Sequence, residues 1–117
     1  MKNNYDVFIS YSSNDKKIAF NLCEALEEKK ITCWIAPRNV QMGSYANSII
    51  EGIVKSRLFI LIFSSSSNNS RAVLNEVELA VKNNLIIIPL RIEEFSATKP
   101  LEYYLISNHW FDIFHPK

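Results

Sequence analysis

Two nearly unbroken apolar runs, RLFILIFS at 57–64 and LIIIPLRI at 85–92, stand on either side of one amphipathic segment. A strand with one wet face alternates apolar and polar residues. A strand apolar at almost every position is covered on both faces, as in a parallel sheet with helices above and below it. Pro89 interrupts the second run, so a bulged or less central place in the sheet is expected for that strand. Three further runs read as strands: YDVFIS (Tyr5 to Ser10), ITCWI (Ile31 to Ile35) and NHWFDI (Asn108 to Ile113).

Helical periodicity fills most of the gaps. Ile18, Leu22, Ala25 and Leu26 recur between Asp15 and Lys29, with Asn14 or Asp15 as N-cap. Ala46, Ile49, Ile50, Ile53 and Val54 do the same between Tyr45 and Lys55, and a third pattern runs from about Ser70 to Asn83. The connection EEFSATKPLEYYLIS is ambiguous and has room for a short helix. Alternating β and α elements at this spacing predict an α/β fold, an open parallel sheet between layers of helix. At 117 residues, 48% of them apolar, the chain fits a single domain with a sizeable core. There is no internal repeat, and the one low-complexity patch, Ser64 to Ser70, reads as a polar loop.

Composition removes several function classes. Thirteen Lys and Arg against 12 Asp and Glu leave no basic footprint for nucleic acid. The only glycines, Gly43 and Gly52, allow neither a P-loop nor a dinucleotide-binding GxGxxG. A receiver domain would end its third strand on an aspartate, where this chain has serines. Ser64 to Ser67 have no nearby His or Lys to activate a nucleophile. His109 and His115 lack carboxylate or Cys partners at metal-ligand spacing, so no metal is expected. Cys23 and Cys33 read as buried reduced thiols, and Trp34 and Trp110 as core. The N-terminus has only a three-residue apolar run, too short for a signal peptide, and no stretch is long enough to cross a membrane. A soluble cytoplasmic module without direct membrane contact is expected.

Ligands of open parallel sheets bind at the carboxyl ends of the strands where strand order reverses. For an order 2-1-3-4-5 that point lies between the first and third strands, beside the loops Ser10–Asp15 and Ser64–Ser70. Two glutamates follow the second loop. Glu78 has Lys82 four residues on, a helix-supporting pair. Glu76 has Ala72 and Ala80 as its neighbours one turn away and no cation at helical spacing. It falls on the border of the apolar arc of Val73, Leu74, Val77, Ala80 and Val81. Periodicity leaves it open between a solvated boundary residue and a carboxylate facing a site. The segment APRNVQMGSYANSII (Ala36 to Ile50) is longer than a tight βα turn needs, which marks it as functional. Gly43 eases a backbone turn there, and Tyr45 follows at the helix start, able either to face a ligand or to pack.

These residues resemble Toll/interleukin-1 receptor (TIR) domains, especially the bacterial branch. YDVFISYSSND is similar to the family's first box. CWIAPRNVQMGSYANSIIEGIVKSR is similar to its second strand, BB loop and following helix, and LFILIFSSSSNNSRAVLNEVELA to the third strand and the glutamate-bearing helix. IIIPLRI and HWFD complete the set, so the resemblance covers Tyr5 to Ile113. It implies a flavodoxin-like three-layer sandwich, a five-stranded parallel sheet in the order 2-1-3-4-5 with helices on both faces, forming one TIR domain over 1–117 that belongs to a longer multidomain protein. It also implies cleavage of NAD+ at the nicotinamide–ribose bond, by hydrolysis or cyclisation, with NAD+ as substrate and no cofactor.

By the same resemblance Glu76 is the catalytic glutamate. Tyr11, Ser12, Ser13, Arg38, Asn39, Tyr45 and Ala72 contact substrate, and Pro37, Val40 and Gly43 belong to a BB-loop interface. Two departures stand out: Ala72 occupies the place of a tryptophan in the common WxxxE pattern, and Ser12 and Ser13 stand where some enzymes have arginines. The implied partners are other TIR domains and a sensor or effector, attached or separate, in anti-phage signalling. One carboxylate is chemically sufficient, because nicotinamide leaves NAD+ neutral and needs no acid, unlike the alcohol of a glycoside. The alternatives are a non-catalytic assembly module and a plain flavodoxin-like ligand-binding domain.

Overall fold

The computed structural model describes residues 4–93, 97, 100–105 and 111–112. Five strands, β1 (Tyr5–Ser10), β2 (Cys33–Trp34), β3 (Ser56–Phe63), β4 (Ile86–Arg91) and β5 (Phe111–Asp112), form one parallel sheet in the order β2-β1-β3-β4-β5. The helices are α1 (Lys16–Glu28), α2 (Tyr45–Val54), α3 (Ser65–Asn68), α4 (Arg71–Lys82) and α5 (Leu101–Leu105). The expected flavodoxin-like sandwich is therefore the observed fold. Trp110, His109 and His115 lie outside the described residues.

The pleat of β1 separates two cores. Val7 and Ile9 face α1, joining Ala19, Cys23, Cys33, Ile60 and Ile62. Phe8 faces the other way, into a layer with Phe59, α2 (Ile49, Ile53), α4 (Val73, Val77, Ala80) and α5 (Leu101, Leu105). Within that layer Phe8 stacks between Trp34, at 4.8 Å, and Phe59, at 5.4 Å. Burying a side chain of this size contributes about 1.5–3 kcal/mol, so these rings anchor the sheet centre.

Three local expectations change. Pairing of β3 with β4 runs in register from Leu58↔Ile86 to Phe63↔Arg91, with Pro89 opposite Leu61. β4 is thus unbulged on that side and lies inside the sheet, between β3 and β5. β2 is shorter than Ile31–Ile35 because Asn39 ends it: the Ile35 amide donates to Asn39 Oδ1 (3.1 Å), and the Asn39 amide donates to the Ile35 carbonyl (2.9 Å). Both polar groups that would extend the ladder are occupied. The serine patch is a helical turn rather than a loop. The Ser64 amide donates to Ser67 Oγ (2.8 Å) and the Ser67 amide to Ser64 Oγ (3.2 Å), a reciprocal capping box.

Candidate active site

α4 begins at its N-cap Ser70, whose hydroxyl accepts from the Val73 amide at 3.2 Å. Two turns on, Glu76 reaches Ser10 at the carboxyl end of β1, where a cavity of about 270 Å³ opens beside β1 and β2. Phe8 and Ile9 of β1, Trp34 of β2, Tyr45 and Ile49 of α2, and Ala72 and Glu76 of α4 line the cavity. Tyr11, Ser12, Ser13, Ala36 and Ser70 complete its lining.

Ser10 Oγ donates to Glu76 Oε1 at 2.7 Å. The carboxyl stands raised to about 7, the balance of burial, which pushes it up, and the Ser10 hydrogen bond, which pulls it part of the way back. No charged group contributes to that balance among the described residues. Tyr11 donates its hydroxyl to the Ala36 carbonyl at 2.6 Å, tying the loop after β1 to the loop after β2. Burial, with Tyr45 and Glu76 nearby, raises its phenol above the usual range. Tyr45, 60% exposed, opens α2 behind a Ser44 cap and presents its ring at the rim.

The structure thus brings Tyr11, Ser12, Ser13, Tyr45, Ala72 and Glu76 together. Arg38 and Asn39 are not part of that lining. The Arg38 guanidinium forks onto Glu27 of α1 (2.9 and 2.8 Å) and also donates to the Cys33 carbonyl at 2.9 Å. Asn39 closes β2 as described. In the same loop Pro37 is exposed, whereas Val40 is half-buried against the core. Gly43 has φ +106°, a left-handed conformation in which an L side chain would be strained. Glu78 does not pair with Lys82 among the described residues; its Oε2 accepts from the Tyr104 hydroxyl at 3.1 Å.

Ser10 and Trp34 are among the contributors that escaped the sequence reading. Ser10 was legible in principle, since alternation along β1 puts it on the face of Phe8, at the strand end that meets α4. Trp34 is core, as expected, and also lines the cavity.

The family model for the TIR domain matches residues 7–117. The chain belongs to the TIR-domain family. No curated protein matches it. Among solved structures, this TIR domain is similar to the TIR domain of the Toll-related receptor TRR-2 from Hydra magnipapillata. That match has TM-score 0.82 and 22% identity and covers 93% of this chain and 84% of that one. It is also similar to the TIR domains of the activated Roq1 resistosome that recognises the pathogen effector XopQ, with TM-score 0.71, 25% identity and coverage of 88% and 68%. A metazoan TIR-STING receptor from C. gigas matches with TM-score 0.73 and 25% identity, over 87% of this chain and 36% of that receptor.

Proposed function

We propose that this TIR domain cleaves NAD+ between nicotinamide and ribose, with Glu76 stabilising the charge that develops on the sugar. The observation that carries this reading is a single, largely buried carboxylate at the carboxyl end of β1, held by one serine hydroxyl and opening into a cavity. Breaking the C1′–N bond sends its electron pair to the pyridinium nitrogen, so nicotinamide leaves neutral. The positive charge left at C1′ and the ring oxygen needs an anion nearby, and a partly desolvated carboxylate supplies it far more strongly than water would. Water then attacks C1′ to give ADP-ribose; attack by the adenine ring of the same molecule gives a cyclic product. Tyr45 offers a ring at the rim for stacking. Ser12 and Ser13 offer hydroxyls to ribose or phosphate.

About 270 Å³ is small for a dinucleotide, so the cavity takes the nicotinamide-ribose end. The adenosine half extends past the rim, where a second copy can cover it. This favours activity gated by self-association, within a cytoplasmic anti-phage signalling system that includes a sensor, attached or separate. The competing reading, an assembly module without turnover, is favoured by one observation: Met42, Tyr45, Ile50 and Val54 all stand exposed along the loop and α2.

Mass spectrometry of concentrated protein incubated with NAD+ decides between them. Nicotinamide release that falls at least about a hundredfold in Glu76→Ala, with the fold intact by circular dichroism, is expected. Equal release by the two proteins overturns the catalytic reading, and assembly without release establishes the scaffold.

A further inference from the structure

On the face of the sheet away from the cavity, Cys23 and Glu27 lie one turn apart on α1, above Cys33 of β2. One ligand atom from each of the three falls within 4.8 Å of the others. Both cysteines are free and 2% exposed. An open cavity of about 540 Å³ leads to the group, and Glu24, Glu27 and Glu28 outnumber Arg38 along its lining. The approach therefore attracts cations. One cation already sits there, since the Arg38 guanidinium holds both oxygens of Glu27 and the Cys33 carbonyl.

We propose that Cys23, Cys33 and Glu27 form a Zn²⁺ site for which the Arg38 guanidinium competes. Two sulfurs and one carboxylate oxygen are a three-ligand zinc set, and water from the open cavity completes a tetrahedron. With Zn–S near 2.3 Å and Zn–O near 2.1 Å, tetrahedral ligands stand about 3.5–3.8 Å apart, so the group need close by only about 1 Å. Binding releases both thiol protons to solvent, forms two Zn–S bonds and one Zn–O bond, and moves Arg38 off Glu27. Magnesium and calcium, which take oxygen ligands, do not fit. Linear spacing hides the set because the third ligand comes from the next strand. Arg38 belongs to the loop that leads to Tyr45, so the ion and that loop share one anchor.

Zn²⁺ titrated into the reduced protein against a chromophoric chelator, with Co²⁺ as spectroscopic probe, tests this. One ion per chain is expected, with thiolate-to-cobalt charge-transfer bands that vanish in Cys33→Ser. Arg38→Ala, which removes the competing cation and no ligand, tightens binding about tenfold, within the range of changes beside metal ligands. Failure of the wild type to compete, cobalt bands that persist in Cys33→Ser, or an Arg38→Ala affinity no tighter than wild type each overturn the proposal.

Discussion

Glu76 differs from Glu78 by two positions and by its surroundings. Glu78 is exposed and accepts from a tyrosine; Glu76 faces a cavity, with one hydroxyl on it and its carboxyl raised to about 7. Only the ionised form can stabilise a cation, so kcat/KM should fall about tenfold per pH unit below about 7. Ser10→Ala removes the bond that favours the anion and should move that limb to higher pH. A limb that stays in place in a pH–rate profile would sever Ser10 from Glu76.

The same carboxyl should also register in stability. A group raised from 4.5 to about 7 on folding stabilises the native state below its unfolded value, and that contribution is lost as pH rises through the folded one. Glu76→Gln, which cannot ionise, should therefore gain stability relative to wild type between about pH 5 and about pH 8. The full span corresponds to on the order of 3 kcal/mol, and partial exposure reduces it to about 1–2. Urea melts at the two pH values check it. Sequence periodicity placed Glu76 at the arc's border and stopped there, because desolvation depends on what other elements lay over that border. Arg38 shows the converse: its loop was legible, but its partner Glu27 lies on a helix eleven residues back.

At the scale of elements, patterns set by a segment's own residues read well and those set by neighbours did not. α1, α2 and α4 fall within a residue or so of their expected bounds, since apolar spacing and caps are local. β2 is cut short by Asn39 and β4 accommodates Pro89 within the sheet, outcomes decided by partners that linear reading cannot see. Gly52 in α2 is another case. Helix propensity alone predicts that Gly52→Ala stabilises by about 1 kcal/mol. A Cβ there would lie 2.6 Å from the Trp34 ring, which is buried and stacked on Phe8. Overpacking of about 1–3 kcal/mol should win, so denaturant titration should find the variant less stable than wild type. Truncating the ring in Gly52→Ala/Trp34→Phe should recover part of the loss.

For the whole molecule, an open parallel sheet was legible in the alternation of apolar strands and helices, whereas the order 2-1-3-4-5 came with the resemblance to TIR domains; the carboxyl ends of the strands then pointed to the crevice. The cavity's size and the exposure of Met42 and Tyr45 were not legible, since both depend on how loops settle on the finished sheet. If a second copy completes the site, specific activity should rise steeply with protein concentration, and sedimentation should show assembly over the same range. A flat specific activity across that range would mean each copy works alone.

The two loops beside the crevice are already joined. Ser64 donates its hydroxyl to Asp15, and the Asn14 side chain donates to Ser66 Oγ at 3.0 Å. The freedom these segments would otherwise surrender to a ligand is given up during folding, so a molecule entering here meets an assembled frame and keeps more of its contact energy as affinity.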